Sequence, residues 1–261
     1  MQQWREKKER GERITALTAY DYPTARLLDE AGVDIILVGD SLGMVVLGYE
    51  DTTQVTLQEV VHHTRAVVRG TQRALVVADL PIHTYDTPAD AVANARQLIG
   101  AGAKAVKLEG GASHRAQIEE ILDAGIPLMA HIGMLPQQVR EEGGYKLKGR
   151  TPAEAEILLR DAQAVEAAGA FAVVLEIVAA ETARQISAAI KIPTIGIGSG
   201  AHCDGEILVT HDLVGLFPWF VPKFVKPEAD VAAEMRKAFE AFIKRTRGSA
   251  APPPESQAAP G

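Results

Sequence analysis

Ala101-Gly-Ala-Lys-Ala-Val-Lys-Leu-Glu109 decides the fold, because its pattern occurs four times in the 261-residue chain. In each copy an Ala-Gly pair precedes a short apolar run that ends in a polar residue. Glycine directly after a helix supplies the left-handed residue that ends it, and the apolar run is typical of a parallel strand buried on both faces. Each copy therefore predicts a helix end, a turn and a strand. The other copies are Ala31–Asp40, Ala124–His131 and Ala168–Glu176.

Helical stretches lie between the predicted strands, and the one that begins at Thr151 has Pro152 next and Glu154 three residues on, a typical helix start. Strands that alternate with helices imply a parallel sheet with right-handed crossovers. Eight such units in about 210 residues favour a closed (β/α)8 TIM barrel over a doubly wound open sheet. Gly196–Gly200 lacks the G-x-G-x-x-G spacing that marks a nucleotide-binding open sheet. The additional strands are predicted at Arg13–Leu17, Ala74–Ala78, Thr194–Ile197 and Ile207–Thr210.

Length and composition predict one globular domain that acts on small molecules. A chain of 261 residues is close to the roughly 250 of a single α/β barrel, and 47% apolar residues supply a sizeable core. The formal net charge of -7 argues against nucleic-acid binding, and no apolar run is long enough to predict a membrane span. The single cysteine, Cys203, excludes an internal disulfide and a Cys-rich zinc site. We expect a cytoplasmic protein.

Both ends of the chain look peripheral to the barrel, which we expect to occupy residues 1–247 as a single domain. Met1–Arg13 is a highly charged extension, and Ala229–Arg247 predicts a terminal amphipathic helix. Gly248–Gly261 is rich in Ala, Pro and Ser, and this composition predicts a disordered tail.

Polar residues stand where five of the predicted strands end. Active sites of α/β barrels lie at this carboxyl edge, although a single strand-end carboxylate can equally cap a helix or pair with a lysine. Three carboxylates on one edge would repel one another unless a cation lay among them, and oxygen ligands without cysteine suit Mg2+. The sequence therefore predicts a divalent-metal site. The five residues are Asp40, Asp79, Glu109, His131 and Glu176.

Lys107 lies on the same strand as Glu109 and on the same, interior face. It could neutralise the carboxylate of a substrate, or form a buried ion pair with Glu109, and a Schiff-base role ranks below both. His131 could equally be a hydrogen-bonded structural residue. The adjacent His62 and His63 point in different directions on a predicted helix, which argues against a joint metal site.

A series of longer motifs runs in order from about Ile14 to Lys223. The motifs are Thr18-Ala-Tyr-Asp-Tyr22, Val38-Gly-Asp-Ser-Leu-Gly-Met44, Ala78-Asp-Leu-Pro81, Val106-Lys-Leu-Glu-Gly-Gly111, His131-Ile-Gly-Met-Leu-Pro-Gln137, Gly143-Gly-Tyr-Lys146, Ile195-Gly-Ile-Gly198 and Asp204-Gly-Glu-Ile-Leu-Val209. Together these motifs resemble those of the ketopantoate hydroxymethyltransferase family.

The resemblance implies a barrel of the phosphoenolpyruvate/pyruvate type that transfers a one-carbon unit from 5,10-methylenetetrahydrofolate to 3-methyl-2-oxobutanoate. The product would be 2-dehydropantoate, on the route to pantothenate and coenzyme A, formed through a Mg2+-stabilised enolate. It further implies a homo-oligomer, commonly a decamer built from two pentamers.

The same resemblance implies roles for particular residues. Mg2+ would be held by Asp40 and Asp79, with Glu109 nearby, and Glu176 would be the general base. The oxo acid would contact Asp40, Asp79, Ser41 and Lys107, and we expect His131 to bind the new hydroxyl group.

Two other functions compete with this prediction. A lyase of the isocitrate-lyase or phosphonomutase type would share the barrel and the enolate chemistry, but it would want a catalytic cysteine in a Lys-Lys-Cys-Gly-His-like loop, and Cys203 lies in Ala-His-Cys-Asp-Gly. An inactive barrel kept for binding or assembly would be favoured if Asp40, Asp79 or Glu176 were replaced, and none is.

Gly143-Gly144 suggests a mobile segment near the barrel mouth.

Overall fold

The computed structural model describes residues 1–248, so the predicted disordered tail lies outside the described residues except for Gly248. Eight parallel strands form a closed barrel in which each strand pairs with the next and the last pairs with the first. This confirms the predicted (β/α)8 barrel. The strands are β1 Ile14–Thr18, β2 Ile35–Val38, β3 Leu75–Asp79, β4 Ala105–Glu109, β5 Leu128–Gly133, β6 Ala172–Glu176, β7 Thr194–Ile197 and β8 Gly205–Leu208.

Helices connect most of the strands, and their ends follow the local sequence signals. Thr151 and Glu154 form a reciprocal capping box at the start of the longest connecting helix, and Gly169 ends that helix with a left-handed φ of 106°. The segment Gly198–Asp204 joins β7 to β8 without a helix. The helices are α1 Gln2–Glu9, α2 Tyr22–Ala31, α3 Leu42–Val45, α4 Leu57–Gly70, α5 Pro88–Gly100, α6 Arg115–Asp123, α7 Val139–Glu142, α8 Pro152–Ala168, α9 Ala180–Ala189, α10 Thr210–Leu213 and α11 Val231–Gly248.

Two apolar layers surround the strands, because successive side chains point to opposite faces. One face packs under the helices, as Val106 and Leu108 of β4 do. The other face fills the barrel interior, where Ala105 lies with Val77, Met129 and other apolar side chains. The interior is therefore a packed core in its lower part, and the polar strand-end residues continue the same inward-facing columns at the top.

The N-terminal stretch is part of this lower core, and the expectation that it is peripheral is wrong for Trp4. Helix α1 consists almost entirely of polar residues, yet Trp4 is only 3% exposed and packs with the interior side chains. Lys7 pairs with Asp34, and Lys8 Nζ lies 2.9 Å from Asp204 Oδ2. The charged residues of α1 therefore attach the helix to the barrel floor.

The chain forms two compact units, one over Met1–Thr210 and one from His211 onward. The first unit contains the whole barrel. The second contains α11, which matches the predicted terminal amphipathic helix. Among residues 1–248, no helix combines the length and the apolar character needed to span a membrane.

Candidate active site

Strand register brings the polar strand-end residues together. Asp79 of β3 is the Cα partner of Lys107 on β4, and Glu109 of β4 is the partner of His131 on β5. Lys107 Nζ donates to Asp79 Oδ2 at 2.7 Å and lies 3.4 Å from Glu109 Oε1. All four residues are at most 3% exposed. The sequence placed Lys107 and Glu109 on the interior face, and the structure places them there.

The carboxyl group of Asp40 lies in the same cluster, but alternation along its strand does not explain this position. Strand β2 ends at Val38, whose side chain faces the helices, so strict alternation would also point Asp40 outward. The turn after Gly39 redirects the carboxyl group inward, where the residue is 5% exposed. Carboxylate oxygens of Asp40, Asp79 and Glu109 all lie within 4.8 Å of one another. The predicted metal-binding residues are thus assembled from three strand ends.

The cluster carries more acidic groups than basic ones. Burial raises the pKa of Asp40 well above its ordinary value, and the negative charges of Asp79 and Glu109 raise it further. Burial likewise raises the pKa of Asp79, to about 6, although Lys107 opposes this effect. Burial would raise the pKa of Glu109, but the opposing effects, of which the positive charge of Lys107 is the largest, lower it to about 2. The single positive charge of Lys107 therefore cannot neutralise the negative charges of all three carboxyl groups.

These residues fit a divalent cation. Oδ1 of Asp79 is buried without a hydrogen-bond partner, which is costly for a carboxylate oxygen unless a positive charge faces it. The donor set consists of hard oxygen atoms, which suit Mg2+ or Mn2+ better than zinc. A buried acidic triad that could hold a metal ion is therefore present.

His131 lies between this triad and Glu176. Its Nδ1 is 3.5 Å from Glu109 Oε1, and its Nε2 is 3.4 Å from Glu176 Oε2, but neither nitrogen makes a hydrogen bond. Burial and the charge of Lys107 lower the pKa of His131, which favours the neutral ring. Burial raises the pKa of Glu176 well above its ordinary value, and Glu109 adds to this effect. Glu176 thus binds a proton more tightly than an exposed carboxylate does.

The backbone around Glu176 is fixed on both sides. Met134 N–H donates to the carbonyl of Glu176 at 2.8 Å. A Cβ on Gly133 would lie 2.4 Å from that carbonyl oxygen, so only glycine fits there. Ser199 Oγ donates to the carbonyl of Leu175 at 2.7 Å and accepts from Val178 N–H at 3.0 Å. The carboxyl group therefore projects from a rigid support.

The structure also shows polar residues near the cluster that were not predicted from the sequence. One is the buried Tyr20, whose hydroxyl lies 2.8 Å from the Oγ of Ser41, the predicted substrate contact next to Asp40. Gln137, which follows β5, is 3% exposed and contacts the acidic cluster. The sequence signal that could have identified Gln137 is its position as the last residue of the motif His131–Gln137. The hydroxyl of Tyr85 donates to Gln137 Oε1.

A closed parallel barrel with a buried acidic cluster at the carboxyl ends of its strands defines the chain as a (β/α)8-barrel enzyme. The sequence model of the ketopantoate hydroxymethyltransferase family matches residues 1–254, and the chain belongs to this family. A relative from Enterococcus faecalis named 3-methyl-2-oxobutanoate hydroxymethyltransferase is 54% identical over 97% of this chain and 92% of its own length. A relative of the same name from Clostridium novyi is 53% identical over 95% of this chain and 91% of its own.

Solved structures support the fold. The crystal structure of 2,3-dimethylmalate lyase, a member of the PEP mutase/isocitrate lyase superfamily, has a TM-score of 0.62 and 18% sequence identity to this chain. The match covers 99% of this chain and 91% of the lyase. The fold is therefore shared with that superfamily, as the sequence predicts.

Proposed function

We propose that the chain transfers a hydroxymethyl group from 5,10-methylenetetrahydrofolate to 3-methyl-2-oxobutanoate and releases 2-dehydropantoate. The observation that carries the proposal is the buried triad of Asp40, Asp79 and Glu109, with Glu176 nearby and His131 between them. This arrangement suits removal of a proton from a carbon next to a carbonyl group, the step that such a transfer requires. The name shared by the close relatives supports the same reaction.

Asp40, Asp79 and Glu109 would hold Mg2+. When bound, the ion would withdraw electron density from the 2-oxo group and make the neighbouring C3 proton more acidic. The three carboxylates set the charge of this site, and their burial excludes the water that would weaken its electrostatic effects.

Lys107 and Ser41 would orient the oxo acid. The ammonium group of Lys107 keeps its proton, because the nearby carboxylates outweigh the effect of burial and raise its pKa. It is therefore a permanent positive charge for a substrate carboxylate. The Ser41 hydroxyl, positioned by Tyr20, can donate a second hydrogen bond.

Glu176 would take the proton from C3. Its raised pKa makes the carboxylate a stronger base than an exposed one, and its fixed backbone keeps it aimed at the cluster. The carbon that loses the proton would then bond to the one-carbon unit of the folate. The two bonds of that unit to the folate nitrogens would break, water would supply the hydroxyl group, and tetrahydrofolate would leave with the C3 proton and the second proton of the water. We propose that His131 binds the hydroxyl group of the product.

The competing functions receive no support. Cys203 is 3% exposed and lies just before Asp204, which bonds the start of β7 through Thr194. The thiol is therefore at the amino-terminal end of the barrel, opposite the acidic cluster, where it cannot act as a lyase cysteine. An inactive barrel would have lost part of the cluster, and every carboxylate is in place.

Assembly into a homo-oligomer and location in the cytoplasm stay predictions. Exposed apolar side chains on one side of α11 support assembly, because such surfaces commonly mark protein contacts. Light scattering after size exclusion would give the number of copies. The side chains are those of Met235, Phe239, Phe242 and Ile243.

Deuterium exchange at C3 of 3-methyl-2-oxobutanoate in heavy water, without folate, tests the proposed chemistry. The protein should catalyse the exchange only with Mg2+, and Glu176→Gln should abolish it. Glu156→Gln, on the exposed face of α8, is the matched control and should exchange normally. Exchange that persists in Glu176→Gln would place the base elsewhere. If the protein catalyses no exchange even with folate present, the transferase proposal fails.

A further inference from the structure

We propose that Gln137 is a positioning residue that holds the carboxylates of Asp40 and Glu109 in the geometry that binds the metal ion. The inference rests on the metal site of the proposed function. Gln137 lies beyond β5, in the single 3-10 turn Pro136–Gln138, and its side chain is buried. No role is assigned to it by the family resemblance.

The main chain of Gln137 fixes one carboxylate. Its N–H donates to Glu109 Oε2 at 3.1 Å, while the other oxygen of Glu109 faces Lys107 and His131. Both oxygens of this carboxylate therefore have defined neighbours. Rotation of the Glu109 carboxyl group would break the contact with the loop.

The side chain of Gln137 fixes the second carboxylate. Nε2 lies 3.0 Å from the carbonyl oxygen of Leu80 and 3.0 Å from Asp40 Oδ2. A carbonyl oxygen can only accept, so the atom that faces Leu80 must be the amide nitrogen. The second hydrogen of that nitrogen is then directed to Asp40. The amide orientation is determined by these neighbours.

Tyr85 completes the arrangement. Its hydroxyl donates to Oε1 of Gln137, so every polar atom of the amide has a partner. Burial raises the pKa of Tyr85, and the surrounding carboxylates raise it further, which keeps the hydroxyl protonated as a donor. A fully bonded buried amide is rigid, and it gives Asp40 a fixed donor on one oxygen.

The hydrogen bonds of Gln137 orient residues of the proposed metal site. Partners that hydrogen-bond to metal ligands orient them, and their loss typically weakens metal binding about 10- to 100-fold. Gln137 joins the ends of β2, β3 and β4 through Asp40, Leu80 and Glu109, and these strands supply the triad. A structural role alone would change the stability of the protein without changing how the folded molecule binds the ion.

The test measures binding of Mn2+, a paramagnetic substitute for Mg2+, by electron paramagnetic resonance on the full chain without substrate. Gln137→Met keeps the length and the backbone N–H but removes the amide. We expect Mn2+ affinity to fall about 10- to 100-fold, with an altered spectrum of the bound ion. Gln138→Met, at the neighbouring half-buried position, should bind Mn2+ as the unaltered protein does.

Tyr85→Phe is the second variant, because it removes only the donor to Oε1. We expect its Mn2+ affinity to fall about two- to tenfold, the size of one lost neutral hydrogen bond. Folded Gln137→Met with unchanged Mn2+ affinity would overturn the inference. If Gln137→Met fails to fold, unchanged affinity in Tyr85→Phe would overturn it instead. An unaltered protein that binds no Mn2+ would overturn the metal site as well, so the two failures are distinguishable.

Discussion

Lys107 Nζ lies 2.7 Å from Asp79 Oδ2, and strand register makes the two residues Cα partners on β3 and β4. The pair is buried, so neither charge can turn to water when its partner is removed. Glu109 shares the same ammonium group at 3.4 Å. We therefore expect Lys107 to influence both the stability of the barrel and its capacity to bind an anion.

Lys107→Met should destabilise the metal-free protein by about 3–5 kcal/mol, because it leaves buried carboxylates without their cation. Added Mg2+ should stabilise Lys107→Met more than it stabilises the unaltered protein, because the ion would replace the missing positive charge. Thermal unfolding with chelator and with Mg2+ measures both effects. Lys104→Met, in the exposed turn before β4, should change stability by less than about 0.5 kcal/mol.

Ser199→Ala should slow C3 deuterium exchange while the protein stays folded. The change removes the hydroxyl that bonds Leu175 and Val178 on either side of Glu176, and it should cost about 1–3 kcal/mol of stability. We expect the rate constant to fall more than the substrate affinity, because Glu176 and not the substrate contacts would be misplaced. A normal exchange rate in Ser199→Ala would contradict the rigid-support interpretation.

Trp4→Ala should lower the free energy of unfolding by about 3–5 kcal/mol, as expected for a buried aromatic side chain. Trp4→Phe should cost less, because the indole nitrogen has no hydrogen-bond partner to lose. Denaturant unfolding measures the change, and Arg5→Ala on the exposed side of α1 is the control. Exchange activity per folded molecule should stay unchanged, because Trp4 lies at the opposite end of the barrel from Glu176.

Asp29→Asn should remove an acid-sensitive contribution to stability. Burial alone would raise the pKa of Asp29, but hydrogen bonds from Ala74 and Arg73, both at 2.8 Å, outweigh it and lower the pKa. The unfolded chain therefore binds the proton more tightly, and the stabilisation is present above the ordinary pKa of about 3.9 and is lost as pH falls below it.

The difference in melting temperature between the unaltered protein and Asp29→Asn should accordingly be large at pH 6 and smaller at pH 3. Asp123→Asn, at the exposed end of α6, should show no such trend. A difference that grows as the pH is lowered would contradict the assignment.

The sequence predicted all eight strands of the barrel, because the Ala-Gly turns and the apolar runs are local signals, but the last strand is Gly205–Leu208 and not Ile207–Thr210. Lys107 and Glu109 were placed correctly by alternation along one strand. The inward direction of Asp40 could not be derived in the same way, since the turn after β2 overrides the alternation.

Gln137 and Trp4 escaped prediction for another physical reason. The environment of each depends on contacts that are distant in the chain, such as Gln137 with Asp40 and Trp4 with the interior layer. In helix α1 the one buried side chain, Trp4, stands among polar and charged residues. The composition of α1 is that of an exposed helix, but the single side chain of Trp4 anchors the helix in the barrel core.

The barrel interior is apolar below and ionic only at the rim, with Ala105 and Glu109 standing at opposite ends of one strand. Folding stability and reactivity thus depend on different residues of the same strands. Substitutions at the rim can therefore change the reaction while the apolar layers below still stabilise the same barrel. In such a barrel the scaffold and the chemistry can change independently of each other.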